Sequence, residues 1–288
     1  MKLMTQSALL VLGLCSITSI NASELEKPTL IGDYLGQPPP GMTPEVFAPG
    51  IISTSGWEYG VVFAPNMAEM YYVREAIVDN EPQQQFVVFE KKQDQWHERV
   101  ISKRVGTPTL SPDNDIMFFG RGYKTRTDEG WSEMKRLGAD FNEIRIMRVT
   151  ASLNGTIAFD EAVADGNSKL RYSTFENGRY TPPKLFPKTI NTGAWNAHPF
   201  IAPDESYLIW DGRGSDEEGK PDLYISFKQQ DGSWGDAIKM GDTINTSASE
   251  FAAQITPDGK YLFFNRTSED GNTDTYWVDA KVIETFRP

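Results

Sequence analysis

The sequence predicts an all-β protein, a five-bladed β-propeller in which each blade has four strands. Three observations predict this fold. A short turn motif recurs five times, an apolar run follows each copy, and successive copies are 47, 41, 50 and 54 residues apart. Such a spacing is typical of four-stranded propeller blades, which need roughly 40 to 50 residues each.

The turn motif is clearest in its last copy, residues 256–259 (Thr-Pro-Asp-Gly), which precede the apolar run 261–264 (Tyr-Leu-Phe-Phe). Proline and an Asp-Gly pair favour a tight turn, and the aromatic residues that follow favour a strand. Earlier copies begin at Ala64, Ser111 and Ala202. The remaining copy, residues 152–155, lacks the proline and the aspartate. The boundaries of the third blade are therefore the least well defined.

Each repeat continues with an aromatic third strand, a polar turn and an aromatic residue that opens a fourth segment. The residues at this last position are Trp96, Trp131, Tyr180 and Trp234. The second strands are apolar at consecutive positions, as expected of strands that are covered on both faces. Blades packed around an axis provide such cover.

The last repeat is incomplete, because only ten residues follow its third strand at 275–278. Residues 45–52 stand just before the first repeat, where a fourth strand would lie. We expect this N-terminal stretch to join the last blade and close the ring, since closure removes two exposed sheet edges. A six-bladed ring is the alternative.

The N-terminal residues predict export. Lys2, the apolar run 8–14 and Ala22 have the charge, short apolar core and small cleavage residue of a secretory signal. We expect residues 1–22 to be a signal peptide, 23–42 an extended segment and 43–288 the propeller. The mature chain would be periplasmic or secreted, and no later apolar run is long enough for a membrane span. A lipid anchor at Cys15 is the alternative.

Composition excludes several classes of function. The net charge of −12 repels phosphate backbones, so we expect no nucleic-acid partner. The one cysteine, Cys15, lies in the predicted signal, which leaves no disulfide and no thiolate metal site in the mature chain. The acidic loops 211–222 and 269–274 lack the alternate-position spacing of a calcium loop. We expect no metal and no cofactor.

The Ser/Thr-Pro-Asp-Gly turn followed by an apolar strand resembles the WD-like repeat of TolB-type propellers. The resemblance covers essentially all of the mature chain, from the phrase at 34–47 to the ending at 276–280. It implies an exported single-domain propeller. The motif is specific for the fold and implies no particular activity.

Antiparallel register across the turns predicts which side chains face one another. It places Glu58 opposite Arg74 and Glu250 opposite Arg266, at the end of the axis where the first strands begin. These residues are either a charged rim that binds a ligand or cross-strand salt bridges of the blades. Repetition at a fixed separation favours the salt bridges.

Positions that break this pattern are the better candidates for binding. In the same register Arg121 faces Val105 and so lacks an acidic partner, which leaves its guanidinium available to a carboxylate or phosphate. His198 lies in the innermost strand of the fourth blade, close to Trp195, and histidine suits proton transfer. We also expect Arg213 to lie near this mouth of the axis.

The sequence therefore favours a binding or scaffold module for a protein, a glycan or a small anionic ligand at the axial face, rather than an enzyme. The expected ligand-binding residues are Arg121, His198, Arg213, Trp195, Glu58 and Glu250. The alternative is a polysaccharide hydrolase or lyase that uses axial carboxylates, with Glu58, Glu143 and Glu250 as candidates. Binding is favoured because two of these three carboxylates face an arginine.

Overall fold

The computed structural model describes residues 29–163, 166–214 and 219–288. They form five antiparallel sheets in chain order, each built as a four-stranded propeller blade. The five-bladed propeller is thus confirmed, and the six-bladed alternative is wrong. The predicted signal peptide, residues 1–22 with Cys15, lies outside the described residues.

The N-terminal half contains the closing strand and two blades, with strands numbered in chain order. The closing strand is β1 (Glu45–Val46). Blade 1 has the longest strands, which are β2 (Glu58–Phe63), β3 (Glu69–Val78), β4 (Glu81–Lys92) and β5 (Gln95–Lys103). Blade 2 has shorter strands, which are β6 (Thr109–Leu110), β7 (Ile116–Phe119), β8 (Gly122–Thr127), β9 (Gly130–Trp131) and β10 (Lys135–Arg136). Of these, β9 pairs with the end of β8 and lies outside the four-strand order.

The C-terminal half contains three blades. The strands of blade 3 are β11 (Val149–Ala151), β12 (Ile157–Glu161), β13 (Lys169–Ser173) and β16 (Lys184–Leu185), with a separate hairpin of β14 (Phe175–Glu176) and β15 (Arg179–Tyr180). Blade 4 contains β17 (Trp195–Ile201), β18 (Tyr207–Arg213), β19 (Asp222–Phe227) and β20 (Ile238–Lys239). Blade 5 contains β21 (Ser249–Ile255), β22 (Tyr261–Thr267) and β23 (Thr273–Asp279). Short 3₁₀ helices lie at Asp33–Gly36, Ala139–Phe141 and Ala280–Phe286.

The aromatic residues expected to open the fourth segments do so only in blade 1, where Trp96 lies in β5. Trp131 lies in β9, Tyr180 lies in β15, and Trp234 forms an isolated bridge with Lys228. In blades 2 to 4 these residues mark a short hairpin beyond the third strand, and the fourth strand follows it.

The N-terminal strand closes the ring as predicted. Strand β1 pairs with β23, with Glu45 opposite Trp277 and Val46 opposite Tyr276. The next residue, Phe47, is fully buried, and its ring lies 4.8 Å from that of Phe263 and 5.2 Å from that of Trp277. Blade 5 therefore gains both its fourth strand and part of its core from the N-terminal segment.

The segment before β1 also joins the last blade to the first. Within this segment, which was predicted to be extended, the 3₁₀ helix Asp33–Gly36 places the Tyr34 ring 5.2 Å from Phe63 in blade 1 and 4.9 Å from Tyr261 in blade 5. The Tyr34 hydroxyl donates to Asp258 Oδ1 at 2.7 Å. Asp258 belongs to the last copy of the turn motif, so the motif serves the closure as well as its own hairpin.

Candidate functional site

The first strands of the five blades surround the axis, and one position in or just before each of them is equivalent. It lies five residues before the proline of the turn motif, or before Leu153 in blade 3. The residues there are Gly60, Thr107, Arg148, His198 and Ala252. In blades 1, 4 and 5 the register shifts at this position, and Gly60, His198 and Ala252 have φ angles of 67°, 46° and 54°. Such a β-bulge re-aims the side chain that it carries.

Arg148 occupies the axis. Its side chain is 1% exposed, and Nη1 donates to the carbonyl oxygens of Ala253, at 2.9 Å, and His198, at 3.4 Å. Nη2 donates to Gln254 Oε1 at 3.0 Å, while Nε has no partner among the described residues. Burial lowers the pKa of Arg148, and nearby Tyr59 and acidic groups oppose that shift. The guanidinium thus links blade 3 to blades 4 and 5.

Two buried aspartates on second strands hold the bulges of the following blades. Asp160 Oδ2 accepts from the His198 backbone N–H at 3.0 Å, and its Oδ1 accepts from the N–H groups of Met147 and Arg148. Asp211 Oδ1 accepts from the Ala252 N–H at 3.1 Å. Burial raises the pKa of Asp160, although His198 and the backbone donors lower it in part. Each aspartate therefore fixes a backbone conformation that a side chain other than glycine seldom adopts.

The His198 side chain is 14% exposed and contacts a carboxylate. Its Nδ1 lies 2.9 Å from Asp211 Oδ1, and the Trp195 indole N–H donates to Asp211 Oδ2 at 3.1 Å. Burial lowers the pKa of His198, but Asp211 and Asp160 outweigh burial and the net shift is upward. The predicted candidates Trp195 and His198 are thus joined through one shared carboxylate.

Aromatic rings continue from His198 around the mouth of the axis. The Phe251 ring lies 6.2 Å from His198, Tyr59 stacks on Phe251 at 5.7 Å, and Trp57 stacks on Tyr59 at 5.6 Å. Burial raises the pKa of Tyr59 to about 12, so its hydroxyl stays neutral. We call Trp57, Tyr59, Phe251 and Trp195, with His198 among them, the aromatic arc.

An arginine lies at each end of the aromatic arc. The Arg104 guanidinium is 5.4 Å from the centre of the Trp57 ring, and that of Arg213 is 5.8 Å from the Trp195 ring. Arg104 also donates to Gln84 Oε1 at 2.9 Å. Within the described residues neither arginine has a carboxylate within salt-bridge distance. A guanidinium that lies over an indole ring still presents N–H donors that suit an anionic partner.

The predicted carboxylates Glu58 and Glu250 are buried and have a repeated structural role. In each case the hydroxyl and N–H of the threonine four residues earlier, Thr54 or Thr246, donate to the carboxylate. Glu250 also forms the predicted salt bridge with Arg266, at 2.7 Å. These carboxylates hold the turns that lead into β2 and β21.

In place of the predicted salt bridge between Glu58 and Arg74, the structure has one between Arg74 and Glu98. Glu58 faces Arg74 in the strand register, as expected. The Arg74 guanidinium instead pairs with Glu98, at 2.5 Å, and bonds to Tyr72 and Gln85. The reason is the length of blade 1, whose fourth strand brings Glu98 within reach.

Arg121 has no carboxylate within salt-bridge distance among the described residues, but one of its five N–H donors is used. Its Nη1 donates to the backbone carbonyl of Asn142. The first strand of blade 2 is only Thr109–Leu110, so Val105 lies outside the paired strand. Arg121 is exposed on blade 2 and has no contact with the aromatic arc among the described residues. Of the six predicted residues, the structure brings together Trp195, His198 and Arg213.

A cavity lies at the opposite end of the axis, where the first strands end. Its volume is about 580 Å³, and turn residues of all five blades line it, including Pro65, Pro112, Leu153, Pro203 and Pro257. The charged residues of the repeats predicted a site at the other end, whereas this cavity is mainly apolar.

Sequence reasoning missed Arg148, Asp160 and Asp211. The repeat could have predicted the axial position of Arg148, which lies five residues before Leu153, just as His198 lies five residues before Pro203. The degenerate third copy of the motif hid this equivalence. Arg104 carried no such signal, because it precedes the short first strand of blade 2.

The architecture has parallels among solved structures. The chain shares its fold with known β-propellers. TolB from Acinetobacter baumannii matches with a TM-score of 0.48 and 15% identity over 77% of this chain, which spans 54% of that TolB chain. A gluconolactonase from Xanthomonas campestris matches with a TM-score of 0.51 and 10% identity, covering 87% of this chain and 97% of that chain. The catalytic domain of an arabinofuranosidase from Coprinopsis cinerea matches with a TM-score of 0.48 and 9% identity, covering 83% of this chain and 97% of that chain.

At such low identity these similarities concern the fold alone. No protein-family model matches the sequence, and no curated protein matches it significantly. Across the described ranges, no helix is long and apolar enough to span a bilayer. The same residues contain no group of three or more His, Cys, Asp or Glu side chains placed to hold a metal ion.

Proposed function

We propose that this chain is an exported β-propeller that binds an anionic glycan, or a small anionic ligand of similar chemistry, at the aromatic arc. One observation carries the proposal. At the two ends of the arc Arg104 and Arg213 lie on tryptophan rings, and neither has a carboxylate partner among the described residues. The signal-like residues 1–22 support export.

The chemistry of the arc fits such a ligand. A tryptophan face offers a flat apolar surface for the C–H groups of a sugar ring, and a guanidinium pairs with a carboxylate or sulfate through two parallel hydrogen bonds. Arg104 and Arg213 belong to different parts of the ring, one between blades 1 and 2 and the other in blade 4. An acidic oligosaccharide that reached both would therefore be recognised by its charge spacing.

The carboxylates near the arc support binding over hydrolysis. Asp160 accepts three backbone hydrogen bonds, and Asp211 accepts from Ala252, Trp195 and His198. Glu58 and Glu250 accept from their threonines. A glycosidase needs two carboxylates that face the substrate across a gap of about 5 to 10 Å. The carboxylates described above serve the fold instead.

Calorimetric titration of the mature chain tests the proposal. The ligands are a uronic-acid oligosaccharide and a neutral oligosaccharide of equal length. We expect tighter binding of the acidic one, and Arg104→Gln or Arg213→Gln should each weaken it by about 10- to 100-fold, the value of a charge-assisted hydrogen bond. Release of shorter sugars during the titration would favour the hydrolase or lyase instead.

Arg99→Gln is the matched control. Arg99 lies in β5, five residues before Arg104, but it is exposed and pairs with Glu90 at 3.1 Å, outside the arc. Its replacement should leave the affinity unchanged. Equal weakening by Arg99→Gln and Arg104→Gln, or tighter binding of the neutral sugar, would contradict the proposal.

A further inference from the structure

The cavity at the far end of the axis differs in character from the aromatic arc. Its volume of about 580 Å³ falls within the range of roughly 300 to 1,000 Å³ that small-molecule sites occupy. Its wall is mostly apolar and includes Val62, Leu110, Phe200 and Ile255. An apolar ligand body is therefore the natural occupant.

One polar side chain on the wall is oriented by Arg148. Gln254 lines the cavity, and its Oε1 accepts from Arg148 Nη2 at 3.0 Å. A guanidinium can only donate, so the oxygen of the Gln254 amide must face it. The Nε2 group is the other half of that amide, and no described residue accepts a hydrogen bond from it. The wall thus offers a donor to a ligand carbonyl.

The charge on the cavity wall is negative. Asp204 is the one acidic residue that lines it, and no lysine, arginine or histidine of the described chain does so. The hydroxyl and N–H of Ser206 donate to Asp204 Oδ1 at 2.6 and 3.0 Å. These hydrogen bonds and the nearby cation Arg287 outweigh burial and lower the pKa of Asp204. Its Oδ2 has no protein donor within the described residues.

We propose that this cavity binds an apolar organic cation, in which an apolar body fills the cavity, an ammonium group lies near Asp204 and a carbonyl accepts from Gln254. The amide of an apolar amino acid has this chemistry. The proposal is independent of the function proposed for the aromatic arc, since the two sites share no ligand-facing residue.

Three phenylalanine derivatives share the same apolar side chain and differ in charge, so they test the effect of charge separately from that of shape. They are phenylalanine amide, which is cationic, N-acetylphenylalanine amide, which is neutral, and N-acetylphenylalanine, which is anionic. Titration calorimetry on the mature chain should rank their affinities in that order. A tighter complex with the anion, or no binding of the cation at millimolar concentration, would overturn the proposal.

Asp204→Asn is the decisive variant, because asparagine keeps the Oδ1 acceptor for Ser206 and removes only the charge. It should weaken phenylalanine amide by about three- to fivefold, as for an exposed ion pair, and leave the neutral amide unchanged. Asp113→Asn is the matched control. Asp113 has the same place in the blade 2 turn and accepts from Ser111 and Asp115, but it does not line the cavity. Equal effects of the two variants would refute the assignment.

A second variant tests the location. Leu153 is 66% exposed on the cavity wall, so Leu153→Trp adds volume there with little risk to folding. We expect Leu153→Trp to abolish binding of both amides while the melting temperature stays unchanged. Undiminished affinity would place the ligand elsewhere.

Discussion

Arg148 shows how one residue can use a position that the other blades fill with smaller side chains. The equivalent residues include Gly60, Thr107 and Ala252, none of which reaches across the axis. Arginine there meets the carbonyl groups of Ala253 and His198, which lie at or beside the bulges of two neighbouring blades. Backbone acceptors let a buried cation be hydrogen-bonded without a buried ion pair.

His198 gives the fold a dependence on pH. Asp211, Asp160 and Arg148 are the charged groups that act on its imidazole. Because the folded-state pKa is raised, the charged imidazole stabilises the fold fully below pH about 6.5, and this stabilisation is lost as the pH rises through the folded-state value. We expect the free energy of unfolding to fall across that interval, measured by urea titration.

The matched control is the other histidine. His198→Asn tolerates the positive φ and should remove the pH-dependent part, whereas His97→Asn should leave it in place, because His97 is exposed on β5. A pH profile that is the same in both variants would show that His198 is not its source.

Arg266 and Arg121 should differ in their value to the fold. Arg266 is mostly buried, pairs with the fully buried Glu250, and stacks on Tyr276 at 4.3 Å. Arg266→Ala leaves that carboxylate buried without its cation, so we expect a loss of about 3 kcal/mol in the free energy of unfolding. Arg121 is exposed, and Arg121→Ala should cost less than about 1 kcal/mol. Equal losses in denaturant titrations would show that the Glu250 pair is not the source of stability.

At the scale of elements, the closing strand depends on side-chain packing more than on its two backbone pairs. Phe47 follows β1 and contacts Phe63, Phe263 and Trp277. Phe47→Ala should therefore destabilise the protein by about 3 to 5 kcal/mol, measured by thermal or denaturant unfolding.

Deletion of residues 24–54 should destabilise the protein more than Phe47→Ala does. It exposes the edge of β23, so we expect aggregation as the result.

Met42→Ala provides the comparison within the same segment. Met42 is 44% exposed, so its loss should change stability by less than about 0.5 kcal/mol. If Phe47→Ala were as mild as Met42→Ala, or if the deletion variant melted like the chain without the deletion, ring closure would contribute little to stability.

The sequence predicted the elements better than their contacts. Turn motifs have local causes, such as Asp258 accepting from Thr256 and Lys260, and these recur wherever the residues recur. The partner of Arg74 has a different cause. Glu98 reaches it because the fourth strand of blade 1 is nine residues long, against two residues in blades 2, 3 and 4. The sequence contains no comparable motif that indicates the length of a strand at a sheet edge.

At the scale of the whole molecule, the repeat predicted the number of blades and the closure, but not which end of the axis holds a cavity. A sequence repeat indicates only the features that all the blades have in common. The aromatic arc depends on residues that the blades do not share, such as His198 at one axial position, whereas turn residues of all five blades line the cavity. Only Trp195, His198 and Arg213 were found in advance, because they lie in the regular blade 4.

The closure also sets an order of events during synthesis. Ser53 and its hydrogen-bond partner Thr275 are 222 residues apart, and Tyr34 and Asp258 are 224 apart. The nascent chain must present β1 first and then keep it unpaired until the last blade has been made. Blades 1 to 4 can each form from neighbouring segments, whereas the seam between blades 5 and 1 must form last, as a slow step of high contact order. Until then, the unpaired N-terminal segment is open to other partners, such as a chaperone.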